Sequence, residues 1–237
     1  MLVSFEGRMG QGKSAAAVGL AVAEQKLNGR NIYSTAHLFS AIYCQHCQPL
    51  LFEESLLQRK HRVYPPPDSW YFCDTLQVKL AVEEDDQIDE IAYTYINLKG
   101  FYEIVSSANQ GEIELSQGIF LLDESYLFMD ARTSSSKINR IFNDFTFQTR
   151  KRGIDLYLTT HDVMRLDKRI RAAIDLKVNC RYNGESQMIT LRVRDMHTGV
   201  RRRLKLWGPE AAFPYYETDE MVRPQGKIYR MTIEELT

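Results

Sequence analysis

Eight residues near the N-terminus restrict this chain more than any others: Gly7-Arg8-Met9-Gly10-Gln11-Gly12-Lys13-Ser14. They fit in full the pattern of a glycine, four residues, a glycine, a lysine and a hydroxyl. The context fits as well. Leu2-Val3-Ser4-Phe5 reads as a buried strand before the loop. Lys13 to Leu27, rich in Ala, Val and Leu and stopped at Asn28-Gly29, reads as a helix after it. Asn31 to Ser34 then reads as a second strand, which makes the opening a βαβ unit. Such a loop winds its backbone so that successive N–H groups face phosphate oxygens, and the helix adds the positive end of its dipole. The expected nucleotide ligands are Gly7, Gly10, Gln11, Gly12, Lys13, Ser14 and Ala15, with Lys13 on the β- and γ-phosphates and the Ser14 hydroxyl on Mg²⁺.

A nucleotide site of this kind also needs a carboxylate for the metal. Gly118-Ile119-Phe120-Leu121-Leu122 is a continuous apolar run, the profile of a central parallel strand, and it ends in Asp123-Glu124. Asp123 is expected to share Mg²⁺ with Ser14, and Glu124 to activate the attacking water. An acid in that place favours ATP hydrolysis over a kinase or a GTPase switch. Ile154 to Leu158 reads as a further buried strand. It ends in Thr159-Thr160-His161, where Thr159 or Thr160 is expected to sense the γ-phosphate or to cap the strand.

The net charge of −1 hides two unlike halves. Residues 1–130 hold 9 Lys+Arg against 18 Asp+Glu, and residues 131–237 hold 21 against 13. This asymmetry points to a polyanionic partner or to head-to-tail contacts between subunits. Arg150, Lys151 and Arg152 close a helix read over Ile138–Arg152. Arg165, Lys168, Arg169 and Arg171 crowd a second, basic helix read over about Val163–Ala173. Arg150, Arg152, Arg169 and Arg171 are candidates for an arginine that completes a neighbour's site, although cations near helix ends also serve helix stability alone.

In its motif order the chain resembles the additional-strand, catalytic-glutamate ATPases. Among these it is most similar to the FtsK/HerA-type translocases and viral genome-packaging ATPases, and also to the Zot-type phage assembly ATPases. The resemblance covers roughly residues 1–35 and 115–182. It implies an α/β, RecA-like core: a central, mostly parallel sheet with helices on both faces. A C-terminal antiparallel hairpin is read from the alternation at Met188–Val193 and Arg203–Trp207. The resemblance further implies a homo-oligomeric ring, often hexameric, that moves a polymer. The first expectation is therefore an ATP-driven motor for double-stranded DNA, with viral genome packaging as its setting. The alternatives are a Zot-type assembly or secretion ATPase with a capsid or membrane-protein partner, and a slow ATP-dependent switch. The translocases commonly carry Gln or Asn where Thr160 stands, and Zot-type proteins usually continue into a membrane span.

Domain organisation is read as one ATPase domain over 1–207, an insertion at about 37–115 and an irregular tail over 208–237. Within the insertion Cys44, Cys47, His61 and Cys73 offer four ligands of the type that hold Zn²⁺, with buried free cysteines as the alternative. No run of 18 apolar residues and no secretory leader is found, so a cytoplasmic protein without a membrane span is expected, in the host cytoplasm if it is viral.

Overall fold

A computed structural model gives the fold. It describes residues 1–38, 41–43, 70–73, 78–81, 87–89, 91–96, 98–110, 116–127, 129, 137–212 and 215–216. In chain order these form β1 (Leu2–Glu6), α1 (Lys13–Asn28), β2 (Asn31–Ser34), β3 (Ala41–Tyr43), β4 (Trp70–Cys73), β5 (Val78–Ala81), β6 (Gln87–Asp89), β7 (Tyr93–Tyr95) and α2 (Leu98–Gln110). There follow β8 (Gly118–Leu122), α3 (Lys137–Thr149), β9 (Asp155–Thr160), α4 (Lys168–Ala172), β10 (Leu176–Asn183), β11 (Met188–Asp195), β12 (Arg201–Trp207) and α5 (Gly208–Ala211).

The main sheet has eight described strands in the order β12-β11-β10-β1-β9-β8-β2-β7. From β10 through β7 every pairing is parallel, and β10-β11-β12 is an antiparallel meander. This is the α/β, RecA-like arrangement expected, with one refinement. The C-terminal hairpin is not an appendage, because β10 joins it to β1 and extends the central sheet. Two short antiparallel pairs, β3 with β6 and β4 with β5, form separately from the main sheet.

Strands β1 and β8 are buried along their whole length because both faces of the sheet are covered. One face packs Val3, Phe5, Ile119, Leu121 and Tyr157 against the alanine-rich side of α1. The other packs Leu2, Phe120, Leu156 and Leu158 under α2, α3 and α4. There Phe101 stacks on Phe142 with ring centroids 4.1 Å apart.

The basic helix expected over Val163–Ala173 is two pieces, a 3₁₀ turn at Val163–Arg165 and α4. The break has a clear cause. Asp162 accepts from the Met164 N–H and Asp167 from the Arg169 N–H, both at 2.8 Å, so each acid opens its own short helix. Buried Leu166 and Ile170 hold both pieces to the core.

Residues 208–212 lie against α1, and Ala212, Tyr215 and Tyr216 are buried in the first core cluster. Lys26 donates to the Tyr215 hydroxyl at 2.8 Å. The close approach depends on Gly19, since a Cβ there would lie 2.6 Å from the Ala211 carbonyl oxygen. Alanine is the better helix former by about 1 kcal/mol. Gly19→Ala is nevertheless expected to destabilise the chain by about 1–3 kcal/mol, because a backbone atom must move. Urea unfolding checks this, and a more stable variant would mean that the segment does not dock on α1.

Candidate nucleotide site

The phosphate loop spans the gap between the end of β1 and the start of α1. Gly12 sits at the N-terminus of α1 with φ +74° and no side chain caps the helix there. The first N–H groups of α1 are thus left to face an outside acceptor. A side chain at Gly12 would be strained by that φ and would meet Ile189 at 3.3 Å. Gly10, also at positive φ, has nothing within 4 Å of where a Cβ would stand, so its side of the loop is open. Gln11 closes the turn through its N–H on the Arg8 carbonyl, and Ala15 packs into the core.

Lys13 is only 6 % exposed. Its ammonium donates to the Arg8 carbonyl at 3.2 Å and to Nδ1 of His161 at 3.3 Å. Burial holds its pKa below the ordinary lysine value, against the opposing pull of Glu124 and Asp123. An ammonium can only donate, so Nδ1 accepts and the His161 proton stands on Nε2. That atom faces Glu124 Oε1 at 3.4 Å. The imidazole therefore links the loop lysine to the acid at the end of β8.

Adjacent strands lie about 4.8 Å apart, and β9 separates β1 from β8, so the loop strand and the acidic strand end are about 10 Å apart. Side chains close that distance. Asp123 Oδ1 accepts from Ser14 Oγ and from Thr159 Oγ1, each at 2.6 Å. Asp123 Oδ2 accepts from the Tyr216 hydroxyl at 3.3 Å, and its N–H donates to Thr35 Oγ1 at 2.8 Å. Glu124 has φ +50°, and its N–H donates to Thr159 Oγ1 at 2.9 Å. The next residue, Ser125, donates to the Thr159 carbonyl at 2.8 Å. A left-handed non-glycine residue is thus pinned at the strand end by three bonds to β9.

Asp123 is 3 % exposed, and hydroxyl donors surround its carboxylate. A buried carboxylate next to the Ser14 hydroxyl is the hard-oxygen pair that Mg²⁺ takes. The donor set fits the metal on chemical grounds.

Of the two threonines, Thr159 points into this network, while Thr160 is turned the other way along the strand and donates to the Asp162 carbonyl at 3.1 Å. Arg150 and Arg152 stand at the opposite end of β9, about 20 Å from Thr160. Arg152 donates to the Ala108 carbonyl and to Gln148, which ties α3 to α2. Arg169 is exposed, and Arg171 donates to the Met164 sulfur at 2.9 Å. Arg165 stacks its guanidinium 4.4 Å from the centre of the Tyr126 ring. Tyr126 in turn lies beside Glu124; burial and a hydrogen bond to that acid raise its phenol pKa. Cys44, Cys47 and His61 lie outside the described residues. Cys73 ends β4, but its side chain is outside them too.

His161, Thr35 and Tyr216 are the members of the site that no sequence motif marks. His161 follows a strand already read as ending in polar residues, and that ending was its only signal. Thr35 and Tyr216 arrive from β2 and from the C-terminal segment by tertiary folding.

The family model described as zonular occludens toxin (Zot) matches residues 76–221, more than half of the chain. The chain belongs to the Zot family. The matched stretch holds Asp123, Glu124, Thr159 and the antiparallel meander, and the phosphate loop precedes it. This member is a P-loop ATPase with the loop intact. The N-terminal domain of zonular occludens toxin from Neisseria meningitidis is similar, with 16 % identity and a TM-score of 0.49 over 91 % of this chain and 98 % of that one. The genome-packaging NTPase B204 of Sulfolobus turreted icosahedral virus 2, in complex with ATP-gammaS, is similar with 13 % identity and a TM-score of 0.48 over 85 % and 95 %. No curated protein matches the chain. Among the described residues no helix is long and apolar enough to cross a membrane.

Proposed function

We propose that this Zot-family chain hydrolyses ATP at the site between Lys13 and Glu124 and uses the energy for virion assembly or export, working in the cytoplasm as a homo-oligomer with a capsid or membrane-protein partner. One observation carries the hydrolytic part: Ser14, Thr159 and Asp123 converge on one point while Glu124 stands beside them on a fixed backbone. The loop amides and Lys13 bind the β- and γ-phosphates. Ser14 and Asp123 hold Mg²⁺, which neutralises phosphate charge when bound. Glu124 takes a proton from water in line with the γ-phosphate, while Thr159 orients the Asp123 carboxylate and fixes the backbone of Glu124. An arginine of the neighbouring subunit adds positive charge in the transition state, which makes turnover depend on assembly.

The family match supports the assembly reading over genome packaging. Packaging of double-stranded DNA stands as the second reading, favoured by the basic excess after residue 130. Phosphate release from ATP tests the first part. Turnover is expected to need Mg²⁺ and to fall by about two to three orders of magnitude in Asp123→Asn. Hydrolysis that is indifferent to both would sink the site assignment. Added duplex DNA separates the two readings: unchanged turnover fits assembly, and a clear stimulation fits packaging.

A further inference from the structure

The register of the last three strands sorts their side chains onto two faces. Val178, Cys180, Ile189 and Leu191 point to the α1 side and are buried. The other face is open. On it Arg192 stands directly opposite Arg203, and Arg194 opposite Arg201, with Lys205 and Arg181 flanking them across Thr190. All six cations are exposed, and among the described residues none of them makes an ion pair. Lys177 on the same face differs, being paired with Glu6 at 2.6 Å. Trp207, 44 % exposed, lies on this face at the end of the β12 row that holds Arg201, Arg203 and Lys205.

Like charges placed directly opposite on adjacent strands oppose folding. Two opposed Arg–Arg pairs side by side are therefore not explained by stability. Rows of cations repeat every second residue, about 6.8 Å, along each strand. That regularity matches a polymer of evenly spaced charge better than a scattered anion. An exposed indole at the end of the row supplies a stacking surface, which only unpaired bases can use.

We infer that this face of β10-β11-β12 is a docking surface for single-stranded nucleic acid, held by its phosphates on the arginine rows and by a base on Trp207. This deepens the proposed function by naming the polymer, and it rests on that reading for its purpose alone. Binding is measured without nucleotide, so its failure is distinct from failure of the ATPase reading.

The test is fluorescence anisotropy of a labelled oligothymidine with the full chain, between about 50 and about 200 mM salt. The combined Arg192→Gln, Arg203→Gln variant is expected to bind at least about tenfold more weakly at low salt, with a salt slope reduced by about 0.7 for each phosphate left unneutralised. Its melting temperature should equal or exceed the parent's, because an opposed like-charge pair is removed. Trp207→Ala should weaken binding by about tenfold with the salt slope unchanged. Lys151→Gln, in the turn between α3 and β9 and outside this face, should bind as the parent does. The inference is overturned if the arginine variant keeps full affinity, or if its affinity and melting temperature fall together. It also fails if a duplex of equal length binds as tightly and Trp207→Ala changes nothing. Binding to phosphatidylglycerol vesicles but not to the oligonucleotide would make the face a membrane contact instead.

Discussion

Glu124→Gln is expected to lower ATP turnover by about two to four orders of magnitude while nucleotide affinity stays near that of the parent. The amide keeps the shape of the side chain, and the backbone that positions it is untouched. The N–H of residue 124 still donates to Thr159, and Ser125 still ties the strand end to β9. The variant gives up the capacity to accept a proton. The contact with His161 is expected to survive, because Nε2–H donates to an amide oxygen as it does to a carboxylate. Fluorescent ATP-analogue binding and single-turnover hydrolysis, measured side by side, separate the two properties. If turnover falls only in step with affinity, Glu124 positions nucleotide and some other group is the base. If turnover is unchanged, water is activated elsewhere.

The parts of the site that follow one another in the chain are legible in the sequence, and the parts that meet by strand order are not. Strand, glycine loop and helix are local features whose spacing is diagnostic, and β1, the loop and α1 stand where the pattern places them. The run from Ile119 to Leu122 signals a buried strand because both of its faces are apolar, and Asp123 ends it at the loop's side of the sheet. What the pattern does not contain is the position of β9 between β1 and β8. That placement sets Thr159 beside Ser14 as a second donor to Asp123, and it brings His161 to Lys13 across 148 positions of sequence. The expected single basic helix also misreads local chemistry. Asp162 and Asp167 are good N-cap residues five positions apart, and reading them as caps would have split the segment. The basic half of the chain is visible as a sum of charges. Its concentration on one face of a meander follows only from the pairing of Arg192 with Arg203 and Arg194 with Arg201.

Lys13→Met is expected to act in opposite directions on activity and on stability. Turnover should fall by about two to three orders of magnitude, the scale for losing a preorganised charge at the reacting phosphate. The nucleotide-free variant, however, should melt at a higher temperature than the parent at neutral pH. Burial holds the folded-state pKa of Lys13 below the lysine value, so the folded chain binds this proton less tightly than the unfolded chain does. Stability of the parent then rises with pH as the lysine passes from its lowered folded pKa toward its unfolded value, and below that window the full penalty of the buried charge is present. Methionine keeps most of the apolar stem and carries no charge, which removes the penalty. The stability gap between variant and parent should accordingly narrow in alkaline solution. Thermal unfolding of both proteins across pH checks the sign. If the variant is the less stable at neutral pH, the bonds from the ammonium to the Arg8 carbonyl and to His161 outweigh its desolvation. In that case the empty loop is held in shape by its lysine. If the expected sign is found, the loop stores unfavourable energy that phosphate binding releases, and ATP affinity should weaken in the variant even as the fold becomes more stable.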